Sequence, residues 1–463
     1  MLLNRVFKSF EEERPFCVMV RATLERMLSP TRLDQLFRDR AKKQYEQDLL
    51  FSSLVELMGQ LVTRVEPSVL ASYRSMKDLL KVSDEAVYQK LRGVEPGVSE
   101  ALVRDAFAQA YGVLKSLKAL DKPWVRGRHV KVLDGNSLAA TEHRIHELRC
   151  VWDGPLPGRS LVVWDQESRL VENAILTEDG HASERSLLDE VLDTVTNKDL
   201  WIADRNFCTR GFLFGLWSRR ARFVIRQHGQ LPGILQEKPR RVGKTKQGEP
   251  VWEQPMKITH QDETTHQDKT RTVRRITVRL QKPTRDGDRE LHILTNLPQK
   301  EASAVKVAEL YAKRWTIEVV FLEMQTALSC EVDTLGYPRA ALFAFCVALL
   351  LQNAFSMLKA ALRAAHGASQ VDEKVSGILL SQELRKTYDG MMVQIPAKHW
   401  TVFSTMPLKE FARVLLGLAK KVDITRYPKS RRGPKKPPPK KKRYSNGGHV
   451  ATAKILALRK RSP

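Results

Sequence analysis

Two short apolar runs, VKVLD at 130–134 and LWIAD at 200–204, each end on an aspartate. In an extended chain Val130, Val132 and Asp134 share one face, and Leu200, Ile202 and Asp204 share another. Runs of this kind read as core strands of an α/β fold. Laid side by side, two of them present both carboxylates at one sheet end, where α/β proteins commonly form sites. The rest of the chain must be organised around such a sheet.

At 463 residues the chain exceeds the usual size of one domain, and changes of pattern divide it. Residues 1–120 are expected to be a helical N-terminal domain. Leu33, Leu36, Leu49, Leu50, Leu54 and Leu57 recur at helical spacing over 29–58, and a second such segment covers 99–120. Between them Ser83 caps a short helix through Leu91, and Pro96 with Gly97 marks a break. No recognition helix stands out, so a DNA-binding module and a dimerising or supporting one both satisfy this pattern. Residues 121–226 form the first part of a mixed-sheet core, with further strands at 148–151, 159–165 and 222–226 and a helix at 183–195. Residues 227–290 begin polar and Gly/Lys-rich in GKTKQGEP and then alternate in RRITVRL, an inserted β subdomain. The core resumes over 291–365 with the strand HILTNL and a helix from a Ser303 cap to about Gln325. A helical region, 366–419, and a basic flexible arm, 420–463, complete the chain.

Charge points to the partner. Seventy-eight Lys and Arg against 53 Asp and Glu leave a net charge of +25, which favours a polyanion because each neutralised phosphate releases condensed counterions. From Lys420 onward sixteen Lys or Arg face the single acid Asp423. Arg431, Arg432, Lys435, Lys436, Lys440, Lys441, Lys442 and Arg443 lie among prolines that preclude a regular recognition helix, so their contacts are expected to be to phosphates. Five scattered cysteines suit neither a disulfide framework nor a zinc site and fit reducing cytoplasm. The N-terminus has no secretory pattern. The most apolar segment, from Ala341, carries Gln352 and Asn353 and reads as a buried core helix, not a membrane span.

The chemistry rests on the acids. Asp134 and Asp204 at strand ends, approached by Glu318 from a helix, make a carboxylate trio that needs divalent cations, since three adjacent negative charges repel. Hard oxygen ligands favour Mg2+, with Mn2+ admissible. Taken singly, each acid has a plainer role: DGN as a tight turn, DRN as a loop start, and Arg314 with Glu318 as a helix-surface ion pair. Asp153, Asp165 and Glu323 compete for the same places, and spacing alone does not reject Asp165, which also follows an apolar strand.

The blocks VLDGNSL, WIADRNFCTRGF and YAKRWTIEVVFLEMQ together resemble the DDE transposases of bacterial insertion sequences, in the branch marked by a Tyr-x2-Arg-x3-Glu-x6-Lys signature. Tyr311, Arg314 and Glu318 stand at its spacing, and the resemblance extends over roughly residues 30–400. It implies a ribonuclease-H-like core with a β insertion ahead of the glutamate helix. Asp134, Asp204 and Glu318 would hold two Mg2+ ions, while Tyr311 and Arg314 meet the phosphate. Implied too is cut-and-paste transposition: cleavage at inverted-repeat ends and strand transfer into target DNA, by a homodimer in the synaptic complex, in bacterial cytoplasm and associated with DNA. In that family the freed 3′-hydroxyl can close a hairpin on the opposite strand, helped in some members by a base flipped onto tryptophan. Residues 284–297 here hold no aromatic except His292. The chain departs from the signature at Gln325, where lysine is expected; an amide can donate to phosphate but brings no cation. A nuclease that cleaves without joining, or a catalytically weak end-binding regulator, are the competing functions.

Overall fold

The computed structural model describes residues 5–44, 48–261, 266–284, 287–319, 321, 328, 330–380, 382, 395–429 and 448–459. The apolar runs form a sheet, from β1 (His129–Ser137), β3 (Arg159–Asp165), β4 (Leu170–Thr177), β5 (Asp199–Ala203) and β6 (Arg222–Arg226); a short β2 (Gly154–Leu156) lies outside it. Their order is β4-β3-β1-β5-β6. The first three are antiparallel neighbours, whereas β1, β5 and β6 run parallel. That order and those directions are the ribonuclease-H-like arrangement, on a mixed α/β architecture. In the parallel pair Leu133 stands opposite Ala203, so the residues that follow, Asp134 and Asp204, emerge side by side.

The stretch expected as an inserted β subdomain continues the same sheet. β7 (Ile234–Leu235), β8 (Arg240–Lys244), β9 (Pro250–Gln261) and β10 (Asp268–Arg279) precede β11 (Glu290–Thr295), which pairs antiparallel with β6. β10 pairs with β11, and β9 with β10. The backbone edge that β6 would otherwise expose is thereby satisfied.

Apolar spacing pointed to several of the helices, and turn chemistry altered their limits. The segment 29–58 is two helices, Pro30–Arg40 and Phe51–Val62, and the buried Asp34 carboxylate accepts from the Ser52 amide (2.8 Å) and hydroxyl (3.1 Å) to fix their junction. Ser83 caps Asp84–Gly93 as its position suggests, accepting from the Ala86 amide. Pro96 opens the helix Pro96–Leu117 instead of interrupting one, since its missing N–H costs nothing at the first helical position. Two expectations fail. Residues 148–151 are not a strand: a 3-10 turn, His146–Leu148, runs into a loop and buries Leu148 by itself. The helix expected over 183–195 is a 3-10 turn, Glu184–Leu187, followed by the short Leu188–Leu192.

The helix Pro338–His366 is long and apolar enough to cross a membrane by length and composition, but 94% of its most apolar window is buried inside the protein. It packs against Pro96–Leu117 and β4. Its polar pair explains the seat. The Asn353 side chain accepts from the Val171 amide and donates to the Val171 carbonyl, both at 2.8 Å. β4 ends the sheet, so the Asn353 amide supplies the hydrogen bonds a neighbouring strand would have made.

Part of the stretch expected as a flexible arm is folded. The helix Leu408–Lys421 carries into it, Tyr427 is buried, and Pro428 bridges to Val375. Beyond, β12 (His449–Ala451) pairs parallel with β2, and the helix Thr452–Arg459 follows, with Lys454 bridging to Asp179 at 3.2 Å. Arg431, Arg432, Lys435, Lys436, Lys440, Lys441, Lys442 and Arg443 lie outside the described residues.

Candidate active site

Asp134 and Asp204 reach the same sheet end by different local means. Asp134 lies within β1, and its Oδ1 accepts the next amide, that of Gly135, at 3.0 Å. Asp204 follows β5 and opens the 3-10 turn Arg205–Phe207, its carbonyl accepting from the Phe207 amide at 3.1 Å. Antiparallel direction removes Asp165: it pairs opposite Lys131, toward the other end of β1, and accepts from Ser168. Asp153 lies in the loop that precedes β2, against Gly448, and Glu323 falls outside the described residues.

The third segment differs from the uninterrupted helix expected. Ser303 caps Ala304–Ala312 by accepting from the Lys306 amide. The chain then tightens, with Arg314 N–H to Tyr311 carbonyl (2.9 Å), Thr316 to Lys313 (3.0 Å) and Ile317 to Arg314 (3.2 Å), before helical residues 315–319. Bonds of this i to i+3 kind wind the chain more tightly than an α-helix, so Tyr311 and Glu318 are not simply two turns apart. Gln325 lies outside the described residues.

Arg314 is the hub. Nη1 donates to Asp134 Oδ2 at 3.3 Å and Nη2 to Glu318 Oε1 at 2.7 Å, while the Tyr311 hydroxyl donates to Asp204 Oδ1 at 3.1 Å. Arg314 is buried, at 7% exposure. Burial alone would lower its pKa, yet the charges of Asp134 and Asp204 and the hydrogen bond to Glu318 raise it. Asp134 is pushed up to about 6 by burial; Arg314 and the Gly135 amide oppose the shift, and Glu318 and Asp204 add to it. Burial, then the Asp204 charge, pushes the Tyr311 hydroxyl well above its ordinary range, so it stays a donor. All five residues that spacing and resemblance singled out in these blocks therefore meet at one place.

As they stand, no three acid, histidine or cysteine side chains among the described residues are grouped to hold an ion. The donor chemistry nevertheless fits a hard divalent cation. Two carboxylates, Asp134 and Glu318, pair with a buried guanidinium that bridges them, and the third, Asp204, accepts from Tyr311 beside them.

One residue here went unremarked in the sequence. Trp315, inside the YAKRWTIE block, is 61% exposed and its ring lies 5.4 Å from the Arg314 guanidinium carbon. A tryptophan next to the arginine of the signature is the signal the sequence carries, outside the 284–297 stretch that holds no aromatic except His292.

A ribonuclease-H-like sheet whose parallel strands deliver two acids to a helix-borne glutamate defines the class of protein. Residues 130–352, from β1 to the middle of the long buried helix, match the family described as Transposase DDE domain. Among curated proteins none matches. Among solved structures, the piggyBac transposase in a synaptic complex with hairpin DNA is similar at a TM-score of 0.38 and 12% identity, covering 85% of this chain and 84% of that one.

Proposed function

We propose that the protein is a transposase that cleaves phosphodiester bonds at element ends and transfers the freed 3′ ends into target DNA, by cut-and-paste, with Asp134, Asp204 and Glu318 holding two Mg2+ ions. The observation that carries the reading is the convergence of acids from positions 134, 204 and 318 around one buried guanidinium. Bound metal would supply the Lewis acidity that activates an oxygen nucleophile and stabilises the leaving oxygen. Mn2+ satisfies the same donors.

The remaining roles belong to the chain. The Tyr311 hydroxyl orients Asp204 by donating to its Oδ1. Arg314 neutralises the acids in the metal-free protein. Its Nε, buried and without a hydrogen-bond partner among the described residues, leaves a donor for a phosphate oxygen once metal takes over the carboxylates. The spacing of Tyr311, Arg314 and Glu318 supports the Tyr-x2-Arg-x3-Glu branch, with Gln325 as its departure. The basic residues between Lys429 and Arg443 engage the DNA backbone, and a homodimer pairs two ends.

The test is Mg2+-dependent nicking of DNA that carries the sequences flanking the coding region, using Asp134→Ala, Asp204→Ala and Glu318→Ala. Each variant is expected to bind DNA nearly as the parent does and to lose strand cleavage. A folded variant that nicks at the parental rate removes its residue from the metal set. Insertion of the released ends into a second plasmid separates transposition from nuclease action alone.

A further inference from the structure

We propose that Glu184 is a positioning residue of this site, its carboxylate clasping the two segments that carry Asp134 and Asp204. The proposal rests on the metal-site reading above. Gly135 directly follows Asp134, and a Cβ added there would fall inside the van der Waals envelope of the Glu184 carboxylate. The same carboxylate accepts from the Asn206 side-chain amide at 2.6 Å. Next to it, Arg185 Nε donates to the Asn206 carbonyl at 2.8 Å. Asn206 lies in the turn that Asp204 opens. One carboxylate thus fills the space beside the first acid's neighbour and tethers the second acid's turn.

The clasp is itself anchored. The Ser183 side chain accepts from the Arg185 amide at 3.3 Å, the Ser186 hydroxyl donates to the Ser183 carbonyl at 2.7 Å, and Leu187 and Leu188 are buried below. Strand alternation separates Glu184 from the acids it serves. Leu133 packs in the core layer that contains Leu187 and Leu188, Val132 in the layer on the other face, so Gly135 faces the former and Asp134 the latter. Glu184 stands behind the sheet end. A carboxylate there adds negative charge without entering the ligand set, and its short hydrogen bond fixes the spacing of the ligands. Ligand spacing must hold to roughly 0.5 Å for a site to work, and removing an outer partner of a metal ligand typically weakens metal binding about 10–100-fold.

The experiment titrates Mn2+ into the full chain, without DNA, by electron paramagnetic resonance, and follows hydrogen exchange of segments 134–137 and 204–207 in the metal-free protein. Melting temperature serves as the control for folding. Glu184→Ala is expected to weaken Mn2+ about tenfold or more and to speed exchange at 204–207, with the melting temperature little changed. Glu184→Gln, whose Oε1 still accepts from Asn206, should restore both. Gly135→Ala should weaken Mn2+ in the parent but add nothing to Glu184→Ala, because the carboxylate it collides with has gone. Parental affinity and exchange in Glu184→Ala, or additive losses in the double variant, overturn the proposal. Should Glu184→Ala fail to fold, the Gly135→Ala and Glu184→Gln results decide it by the same criteria. Asp134→Asn distinguishes the two levels: if it still binds Mn2+ normally, the metal-site reading fails and this proposal with it. If Asp134→Asn is dead and Glu184→Ala is normal, only the role of Glu184 fails.

Discussion

The Tyr311 hydroxyl donates to Asp204 Oδ1 at 3.1 Å across 107 residues of chain, joining the last turn of one helix to the end of a strand. Burial and the Asp204 charge keep that hydroxyl protonated, so it remains a donor to the carboxylate. Tyr311→Phe keeps the ring and removes the donor. Cleavage is expected to fall about tenfold, the worth of a hydrogen bond of about 1.5 kcal/mol to a charged group, with DNA affinity unchanged. Single-turnover nicking at saturating DNA checks it; an undiminished rate shows that Asp204 needs no such orientation.

Arg314 both balances and blocks the acids. Arg314→Gln is expected to leave Asp134 and Glu318 uncompensated, raising the Asp134 pKa above about 6 and destabilising the metal-free protein as pH rises. Melting curves with and without Mg2+ between pH 5 and 8 read this out. The variant should regain more stability from metal than the parent does, and equal gains would show that the guanidinium does not stand in for the ion.

The raised pKa of Asp134 also fixes a pH dependence in the parent. A carboxyl lifted from 3.8 to about 6 in the folded protein holds its proton more tightly there than in the unfolded chain. Its contribution to stability is therefore full below about pH 4 and is lost as pH rises through about 6. Metal must displace the same proton, so Mn2+ affinity should climb about tenfold per pH unit below 6 and level off above it. A titration series from pH 5 to 7.5 that shows no such break removes Asp134 from the ligands.

The sheet was legible because its strands are apolar and short. VKVLD and LWIAD announced their length, their buried face and their terminal acid, and parallel pairing did the rest. Asp165 could not be excluded in one dimension, since strand direction is set by tertiary pairing and an antiparallel strand carries its last residue to the opposite sheet end. The interruption at Lys313 and Arg314 left no trace in sequence either: no proline or glycine marks it. Glu184 was invisible because its partners, Gly135 and Asn206, are distant in sequence and none of the three belongs to an apolar pattern. Asn353 showed the converse. Two amides in an apolar helix argued correctly for a buried seat, but the Val171 backbone as its partner required the edge of the sheet to be known.

Asn353→Leu tests that seat. Removing the amide strands both the Val171 N–H and its carbonyl in a buried environment, and each unsatisfied group costs about 1–3 kcal/mol. A loss of about 2–5 kcal/mol in denaturant unfolding is expected. A loss below 1 kcal/mol would mean that water reaches the β4 edge.

Trp315 offers an exposed ring beside the acids, and stacking of an unpaired base on such a face is worth about 1–3 kcal/mol. Trp315→Ala should weaken binding to ends that carry an unpaired base about tenfold while sparing fully paired ends; Trp315→Phe should recover part of it. Equal effects on both substrates would place the ring in general DNA binding.

Replacing the basic residues between Lys429 and Arg443 with glutamine should flatten the dependence of log affinity on log salt by about 5 if six of them neutralise phosphates. The ratio of affinities for cognate-end and random DNA should stay nearly constant. A collapse of that ratio with the slope preserved would require ordered base recognition by the segment.

The pairing of β12 with β2 sets a leash length for those charges. A tail open at one end sweeps a radius equal to its contour, whereas residues 430–447 are fastened to the body on both sides, by Pro428 at Val375 and by His449 at Gly154. Fully drawn out, the segment measures about 60 Å, and a span held at both ends carries its midpoint outward by no more than half of that. If its cations grip a duplex as proposed, they do so within about 30 Å of the protein surface, roughly nine base pairs, and footprints should end at that distance whatever the length of the DNA supplied.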